Sequence, residues 1–312
     1  MSQHRKVLIA APVHRILTDW LTANGYECMV QEQITQQQAF DLIRNCSGVI
    51  TSTRLQLNRE LIDSAPMLEW IGRMGSGMEV IDVQYAQAKG INCFSSPEGN
   101  ANAVAEHALG MLLSLNKRII KSSNEVRQGQ WLRDENRGVE LDGKSIGIIG
   151  FGHTGRAFAK KLMGFDVQIM VYDKYNQEDY PKYVSKASLE DIWQDADIIS
   201  FHVPLQEDTY HYVDAAFIEK MRKPFVIINT SRGIVIDTYA LWDGLQKKKI
   251  RGACIDVWEE EPLSKMSEEM RALLDKIANR PEVVLTPHIA GYSYEAIYKM
   301  SKSLLSKIVI HG

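Results

Sequence analysis

The sequence predicts an α/β protein of two doubly wound parallel-sheet domains, one inserted into the other. Three observations carry this. Short apolar runs alternate with helical stretches over residues 1–99. A second alternating series starts near residue 144. At 312 residues the chain is also long for a single hydrophobic core.

In the first series, strands are predicted at residues 7–10, 27–30, 48–52, 69–73 and 91–94, with helices over 14–24, 36–45, 58–64 and 83–89. Brief apolar runs joined by helices are what a parallel sheet covered on both faces requires. A long apolar stretch follows at 104–120, including Ala105-Glu106-His107-Ala108-Leu109-Gly110-Met111. Its evenly apolar character predicts a helix buried between domains or subunits. Residues 121–143 read as polar and irregular. The second series then gives strands at 144–149, 166–172, 197–201, 225–229, 252–256 and 283–285. A last helix over 293–308 needs a surface to pack on, and the N-terminal domain is the expected one. The expected division is 1–99 with 289–312 for the outer domain and 100–288 for the inserted one.

Composition excludes several classes of function. The hydrophobic share of 45% and charged share of 24% are ordinary for a globular protein. A net charge of −3 argues against nucleic acid or an anionic membrane as partner. No apolar run reaches the roughly 20 residues of a membrane span. The run Val7-Leu8-Ile9-Ala10 is too short for a signal-peptide core. Cys28, Cys46, Cys93 and Cys254 show no metal-binding spacing, so no metal is expected. They read as reduced thiols of a cytoplasmic protein.

The most specific pattern lies at the start of the second series. The strand 144–149 runs into Gly150-Phe151-Gly152-His153-Thr154-Gly155, then a helix that stops at Gly164, then a strand ending at Asp173. Strand, glycine turn, helix, strand and acid form a dinucleotide fingerprint. Gly150 permits the tight turn, Gly152 admits a pyrophosphate to the backbone, and Gly155 lets helix and strand pack closely. The phosphates would rest on N–H groups at the positive end of the helix. Asp173 stands 18 residues beyond Gly155 (173 − 155), where a carboxylate binds the adenosine ribose. It would repel a 2′-phosphate, so NAD is expected over NADP, with neighbouring Lys174 opposing that preference.

Three further segments follow predicted strands. They are Asn229-Thr230-Ser231-Arg232-Gly233, Asp256-Val257-Trp258-Glu259-Glu260-Glu261-Pro262 and Thr286-Pro287-His288-Ile289-Ala290-Gly291. Ligands of open parallel sheets bind beyond the carboxyl ends of the strands, so all three should face the nicotinamide. Their residue types suit hydride transfer to a 2-keto acid. Arginine grips a carboxylate or keto oxygen with a permanent charge. Histidine exchanges the proton that accompanies hydride. A carboxylate beside the imidazole favours its charged form. Singly, each residue has a plainer reading as a surface arginine, a turn histidine or a solvated helix start. Together, behind a dinucleotide turn, they read as a catalytic constellation.

With these pieces in order, the sequence resembles the D-isomer-specific 2-hydroxyacid dehydrogenase family. The likeness also rests on Ile71-Gly72-Arg73-Met74-Gly75-Ser76-Gly77, Asn100-Ala101-Asn102-Ala103-Val104-Ala105-Glu106 and His202-Val203-Pro204. It covers almost the whole chain and implies a Rossmann cofactor domain inserted into a flavodoxin-like substrate domain. It further implies that Arg232 binds substrate, that Glu261 supports the histidine, and that His288 exchanges the proton. Glu261 is preferred over Glu259 and Glu260 because the family's glutamate directly precedes proline. By the same resemblance Asp256 would accept from the nicotinamide amide. Gly150, Gly152, His153, Thr154, Gly155, Asp173, His202, Pro204 and Thr230 would line the NAD site. Ser76 and Gly77 would offer N–H groups to the substrate carboxylate, with Asn100 beside it. Family members are typically dimers joined through the stretch that here spans 101–140, so a homodimer is expected.

Within the family the chain looks most like the phosphoglycerate dehydrogenases, which makes 3-phosphoglycerate and phosphohydroxypyruvate the expected substrate pair. Arg54, Arg73 and Arg133 are candidate cations for that phosphate, and Arg54 directly follows a strand. The chain ends soon after its last helix, so a regulatory domain and feedback by serine are not expected. The alternatives are a glyoxylate or hydroxypyruvate reductase and, from another class, an NAD-sensing corepressor-like binding protein.

Overall fold

A computed structural model describes residues 5–175 and 180–311. The chain divides into two compact units, Met1–Ala101 with Gly291–Gly312, and Asn102–Ala290.

The first unit is built on β1 (Arg5–Ala10), β2 (Tyr26–Val30), β3 (Cys46–Thr51), β4 (Trp70–Arg73) and β5 (Asn92–Ser95). All are parallel, in the order β2-β1-β3-β4-β5 of the flavodoxin-like fold. The connecting helices are α1 (Arg15–Ala23), α2 (Gln36–Leu42), α3 (Arg59–Asp63) and α4 (Val83–Ala88). Each begins at a side chain that accepts a backbone N–H: His14, Thr35, Asn58 and Asp82 respectively. Leu8, Val49, Leu61 and Ile71 are fully buried in its core. The C-terminal helix Tyr294–His311 packs on this sheet. A Cβ on Gly72 would stand 2.8 Å from Leu304, and Lys307 donates to the Ser95 carbonyl at 2.6 Å.

Helix α5 (Pro97–Asn116) runs from the first unit into the second. It starts earlier than its apolar stretch suggests, because Pro97 suits a first helical turn and Glu98 favours its positive end. It is apolar on one face: Val104, Ala105, Ala108, Met111 and Leu112 are buried, whereas Glu106 and Gly110 are exposed. Residues 119–120 do not continue it. Arg118 takes a left-handed φ of 53° and starts a separate helix, α6 (Ile119–Arg127), where irregular chain was expected.

The second unit contains β6 (Ser145–Ile149), β7 (Gln168–Tyr172), the two-residue β8 (Ser185–Lys186), β9 (Ile198–Phe201), β10 (Phe225–Asn229), β11 (Ile250–Ile255) and β12 (Val283–Leu285). The sheet is parallel throughout, in the order β12-β11-β10-β9-β6-β7-β8. This is the Rossmann order with one further strand, and its switch point lies between β6 and β9. Its other helices are α7 (His153–Leu162), α8 (Leu189–Asp195), α9 (Ala215–Lys220), α10 (Thr238–Gln246) and α11 (Glu268–Ala278). Strand residues alternate between two cores. Ile199, Ile227 and Ala253 join the cluster under α8 to α11, while Ile198, Ile228 and Cys254 join the one under α5 and α7. Among the described residues no helix is long and apolar enough to cross a membrane.

Gly155 is the point at which α7 meets the sheet. A Cβ there would stand 2.1 Å from the Gly150 carbonyl oxygen, an atom that cannot move aside. Gly155→Ala should therefore lower unfolding free energy by about 1–3 kcal/mol, the usual scale of overpacking. Urea denaturation of the two proteins measures this, and unchanged stability would mean that the helix backs away freely.

Candidate active site

The loops after β6, β9, β10, β11 and β12 emerge at one edge of the second sheet, where its parallel strands end. Gly150 turns with φ 91°, and a Cβ on it would stand 2.4 Å from the His202 carbonyl oxygen. Gly152 is different: a Cβ there would meet nothing within 4 Å. Gly150 and Gly155 therefore answer to backbone packing, and Gly152 leaves open space before α7. Gly152 is the N-cap of α7 and brings no capping side chain to its first N–H groups, which begin at His153 and Thr154. Unsatisfied N–H groups at a helix start bind anions.

Asp173 lies just past β7 and accepts from the Phe151 N–H at 2.6 Å and the Tyr175 N–H at 2.9 Å. It thereby ties the glycine turn to the second strand while keeping a carboxylate at the strand end. Lys174 pairs with Asp208, which also accepts from the Tyr175 hydroxyl at 3.0 Å. The cation beside Asp173 is thus held by a carboxylate of its own, which favours ribose hydroxyls over a 2′-phosphate. Thr230 Oγ1 is buried and, among the described residues, has no hydrogen-bond partner, leaving an unused hydroxyl after β10. The exposed Pro204 follows β9. The open cradle, the carboxylate and the orphan hydroxyl fit a dinucleotide. His202 has little to offer it beyond its backbone. The ring is 8% exposed, lies 2.9 Å from Ser200 Oγ and packs on Phe158, and burial pushes its pKa down to about 3.

The three adjacent glutamates have separate partners. Glu259 accepts from the Thr238 N–H at 2.7 Å and hydroxyl at 2.6 Å, and lies 2.7 Å from His211 Nε2. Glu260 accepts from the Ser267 N–H at 2.6 Å. Only Glu261 meets His288. Its Oε1 accepts from the Trp258 N–H at 2.7 Å, and its Oε2 lies 2.6 Å from His288 Nδ1. A carboxylate only accepts, so Nδ1 carries the proton and Nε2 is the nitrogen left to exchange one. The hydrogen bond and charge of Glu261 raise the His288 pKa, with Asp256 adding to them, while burial and the Arg232 charge oppose. His288 is also held in the left-handed region, φ 56°, which costs roughly 1–2 kcal/mol for a residue with a Cβ. Such strain persists where the surroundings impose it.

Arg232 follows β10, with its Nη1 donating to the Ser231 carbonyl at 2.7 Å. Its neighbour Gly233 lies against the backbone of Trp258 and Glu259, where a Cβ would come within 1.9 Å of the Trp258 carbonyl. The arginine turn and the glutamate loop are therefore packed backbone to backbone. Asp256 is 1% exposed. Its carboxylate accepts from the Ile289 N–H at 3.0 Å, the Ala290 N–H at 2.8 Å and the Thr286 hydroxyl. Those contacts tie Asp256 to the histidine loop, a role that its position after a strand does not announce.

In the first unit, taken by itself, Gly75 has φ 142° and its N–H donates to Ser96 Oγ at 3.0 Å. Ser76 Oγ donates to Asn100 Oδ1 at 3.2 Å, so these two expected substrate residues adjoin. Among the described residues, neither Ser76 N–H nor Gly77 N–H has a hydrogen-bond partner. Arg54 is exposed just past β3. Arg73 is a correction to the set of phosphate cations. It is 7% exposed, lies against Gly75, and its Nη1 donates to the Met74 carbonyl. Its guanidinium shapes the 74–77 loop from inside. Ser96, Trp258, Thr286 and His107 are supports that sequence reasoning did not assign. Thr286 and His107 stand within the quoted runs, but no spacing ties them together.

The profile of the D-isomer specific 2-hydroxyacid dehydrogenase NAD binding domain matches residues 109–290. The chain belongs to that family. Its members are NAD-dependent oxidoreductases, and NAD is the cofactor of the second unit. The chain is 33% identical over 309 residues to a hydroxypyruvate reductase of Thermotoga maritima, covering 99% of this chain and 98% of that one. It is 29% identical over 306 residues to a D-3-phosphoglycerate dehydrogenase of Archaeoglobus fulgidus, and spans 56% of that protein's length. The solved structure of a D-2-hydroxyisocaproate dehydrogenase superposes with a TM-score of 0.84 at 25% identity, over 98% of this chain and 96% of that one.

The Glu261–His288 contact has a measurable consequence. A raised pKa keeps His288 protonated further up the pH scale, so reduction of a keto acid should fail only as pH rises through that raised value. Glu261→Gln removes the carboxylate charge, so the reductive kcat/KM should fall at lower pH than in the wild type, and oxidation should begin at lower pH. Profiles of both directions check this. Superimposable curves would show that Glu261 does not set the protonation of His288.

Proposed function

We propose that the chain interconverts a D-2-hydroxy acid and its 2-keto acid, with His288 as acid and base, Glu261 as its support and Arg232 as the substrate's anchor. The observation that carries this is the Glu261–His288 contact at 2.6 Å, at the same sheet edge as the dinucleotide turn. NAD, when bound, accepts or supplies the hydride. In the reductive direction His288 Nε2 gives its proton to the keto oxygen as that oxygen gains charge. Glu261 offsets the imidazolium charge and fixes the ring. Arg232 grips the carboxylate or keto oxygen with a cation that never titrates away. Gly150, Gly152, His153, Thr154 and Gly155 take the pyrophosphate, Asp173 the ribose. Pro204, Thr230 and the backbone of His202 complete the wall. Ser76, Gly77 and Asn100 are proposed for the substrate carboxylate. Asp256 acts here as a brace of the histidine loop.

The substrate we propose is a short unphosphorylated keto acid such as hydroxypyruvate or glyoxylate. The burial of Arg73 supports this, since it removes one of the cations that a phosphate would need. The end-to-end likeness to a hydroxypyruvate reductase points the same way. Arg54, exposed at a strand end, favours the second reading, phosphohydroxypyruvate with 3-phosphoglycerate. A homodimer is supported by exposed apolar side chains at Ile119, Ile120, Val126, Trp131, Leu132 and Val139. The absence of disulfides at Cys28, Cys46, Cys93 and Cys254 suits a cytoplasmic protein.

NADH oxidation with hydroxypyruvate, phosphohydroxypyruvate, glyoxylate and pyruvate tests the substrate. Preference for an unphosphorylated acid, unchanged in Arg54→Ala, is the expected outcome. A phosphorylated preference lost in that variant would establish the second reading. His288→Ala should lower kcat by about 10²-fold or more while sparing NADH affinity. No turnover of any substrate by the wild type would bring the NAD-sensing binding protein forward. Sedimentation should find a dimer, and a monomer would remove that part of the proposal.

A further inference from the structure

Three groups from distant parts of the second unit meet behind the His288 loop. Thr286 Oγ1 lies 2.5 Å from Asp256 Oδ1, and His107 Nε2 lies 2.9 Å from Thr286 Oγ1 and 3.6 Å from Asp256 Oδ1. The Asp256 side chain is 0% exposed and His107 is 21% exposed, so water competes little for these bonds.

Counting protons fixes the direction of the chain. A hydroxyl has one proton to give, and an ionised carboxylate can only accept. Thr286 therefore donates to Asp256, in preference to the weaker acceptor Met111 Sδ at 3.7 Å. Its oxygen must then accept from His107, which assigns the proton of that imidazole to Nε2. The order is His107 Nε2–H to Thr286 Oγ1–H to Asp256. Asp256 in turn grips the loop in three places: its carbonyl accepts from the His288 N–H at 2.7 Å, and its carboxylate from the Ile289 and Ala290 N–H groups. His288, which heads the stretch so gripped, has a left-handed backbone.

We propose that His107 is a positioning residue for His288, acting from helix α5 through Thr286 and Asp256. It touches neither substrate nor cofactor in this scheme. It orients the Thr286 hydroxyl, so that the Asp256 carboxylate is held where it clamps the loop. The inference rests on the reading of His288 as the acid–base residue.

The test compares His107→Leu, His107→Gln, Thr286→Val and Thr286→Ser with the wild type and His288→Gln. Readouts are kcat with the best keto acid of the panel, its KM, NADH affinity by fluorescence, and hydrogen exchange at the amides of residues 289 and 290. Loss of the donor in His107→Leu, or of the hydroxyl in Thr286→Val, should lower kcat by about tenfold to a hundredfold, as misplacement of a reacting group by an ångström does. KM and NADH affinity should stay within about twofold, and exchange at both amides should quicken. Gln places an N–H at a reach similar to Nε2 and Ser keeps the hydroxyl, so both should restore most of the rate. A wild-type kcat and unchanged exchange in His107→Leu would overturn the proposal, as would His107→Gln being as slow as His107→Leu. If His288→Gln turns over at the wild-type rate, the reading of His288 itself falls. The exchange data then judge the hold of His107 on the loop independently.

Discussion

The second unit depends on a contact between bare backbones. At the switch point of its sheet the Gly150 carbonyl lies against Gly155, and the His202 carbonyl lies against Gly150. No side chain fits in either gap. The first contact seats α7 on the sheet and so aims its N-terminus; the second brings the loop after β9 beside the turn after β6. Asp173 reinforces both by accepting the Phe151 N–H from across the turn. A cradle made this way is rigid because it has no rotamers to choose between, and rigidity is what a site for a charged, flexible nucleotide requires.

Around that frame the structure allots carboxylates with little overlap. Asp173 serves the turn, Asp208 holds Lys174, Glu259 anchors the start of α10, Glu260 caps the turn before α11, and Asp256 grips the histidine loop. Glu261 shares its charge with His288, on which Arg232 also acts. Its pairing raises the pKa of the imidazole, whereas His202, buried beside Ser200 without a charge partner, is driven the other way. Burial and company alone thus push two histidines near one sheet edge in opposite directions.

Much of this was legible in the amino-acid order. Short apolar runs marked the strands because a sheet covered on both faces must be apolar on both. The glycine turn was legible because no other residue satisfies those backbone distances. Glu261 could not be separated from Glu259 and Glu260 by chemistry, since three adjacent acids look alike until the chain turns each toward a different partner. The start of α5 was obscured for a different reason: its first turn is polar, and only Pro97 and Glu98 mark it. Arg73 looked like an available cation because burial of a guanidinium beneath a glycine loop leaves no trace in spacing. His107 and Thr286 were out of reach for the simplest reason, that 179 residues separate them.

That separation has a kinetic side. A hydrogen bond spanning 179 residues cannot form until α5 and β12 are both docked on the same sheet. Closing a loop of that length costs entropy before the bond returns any of it. Where such a contact forms after the transition state, it leaves the rate of folding almost untouched and slows the rate of opening. The histidine loop is thus fastened by a bond that exists only when both ends of the second unit are in place.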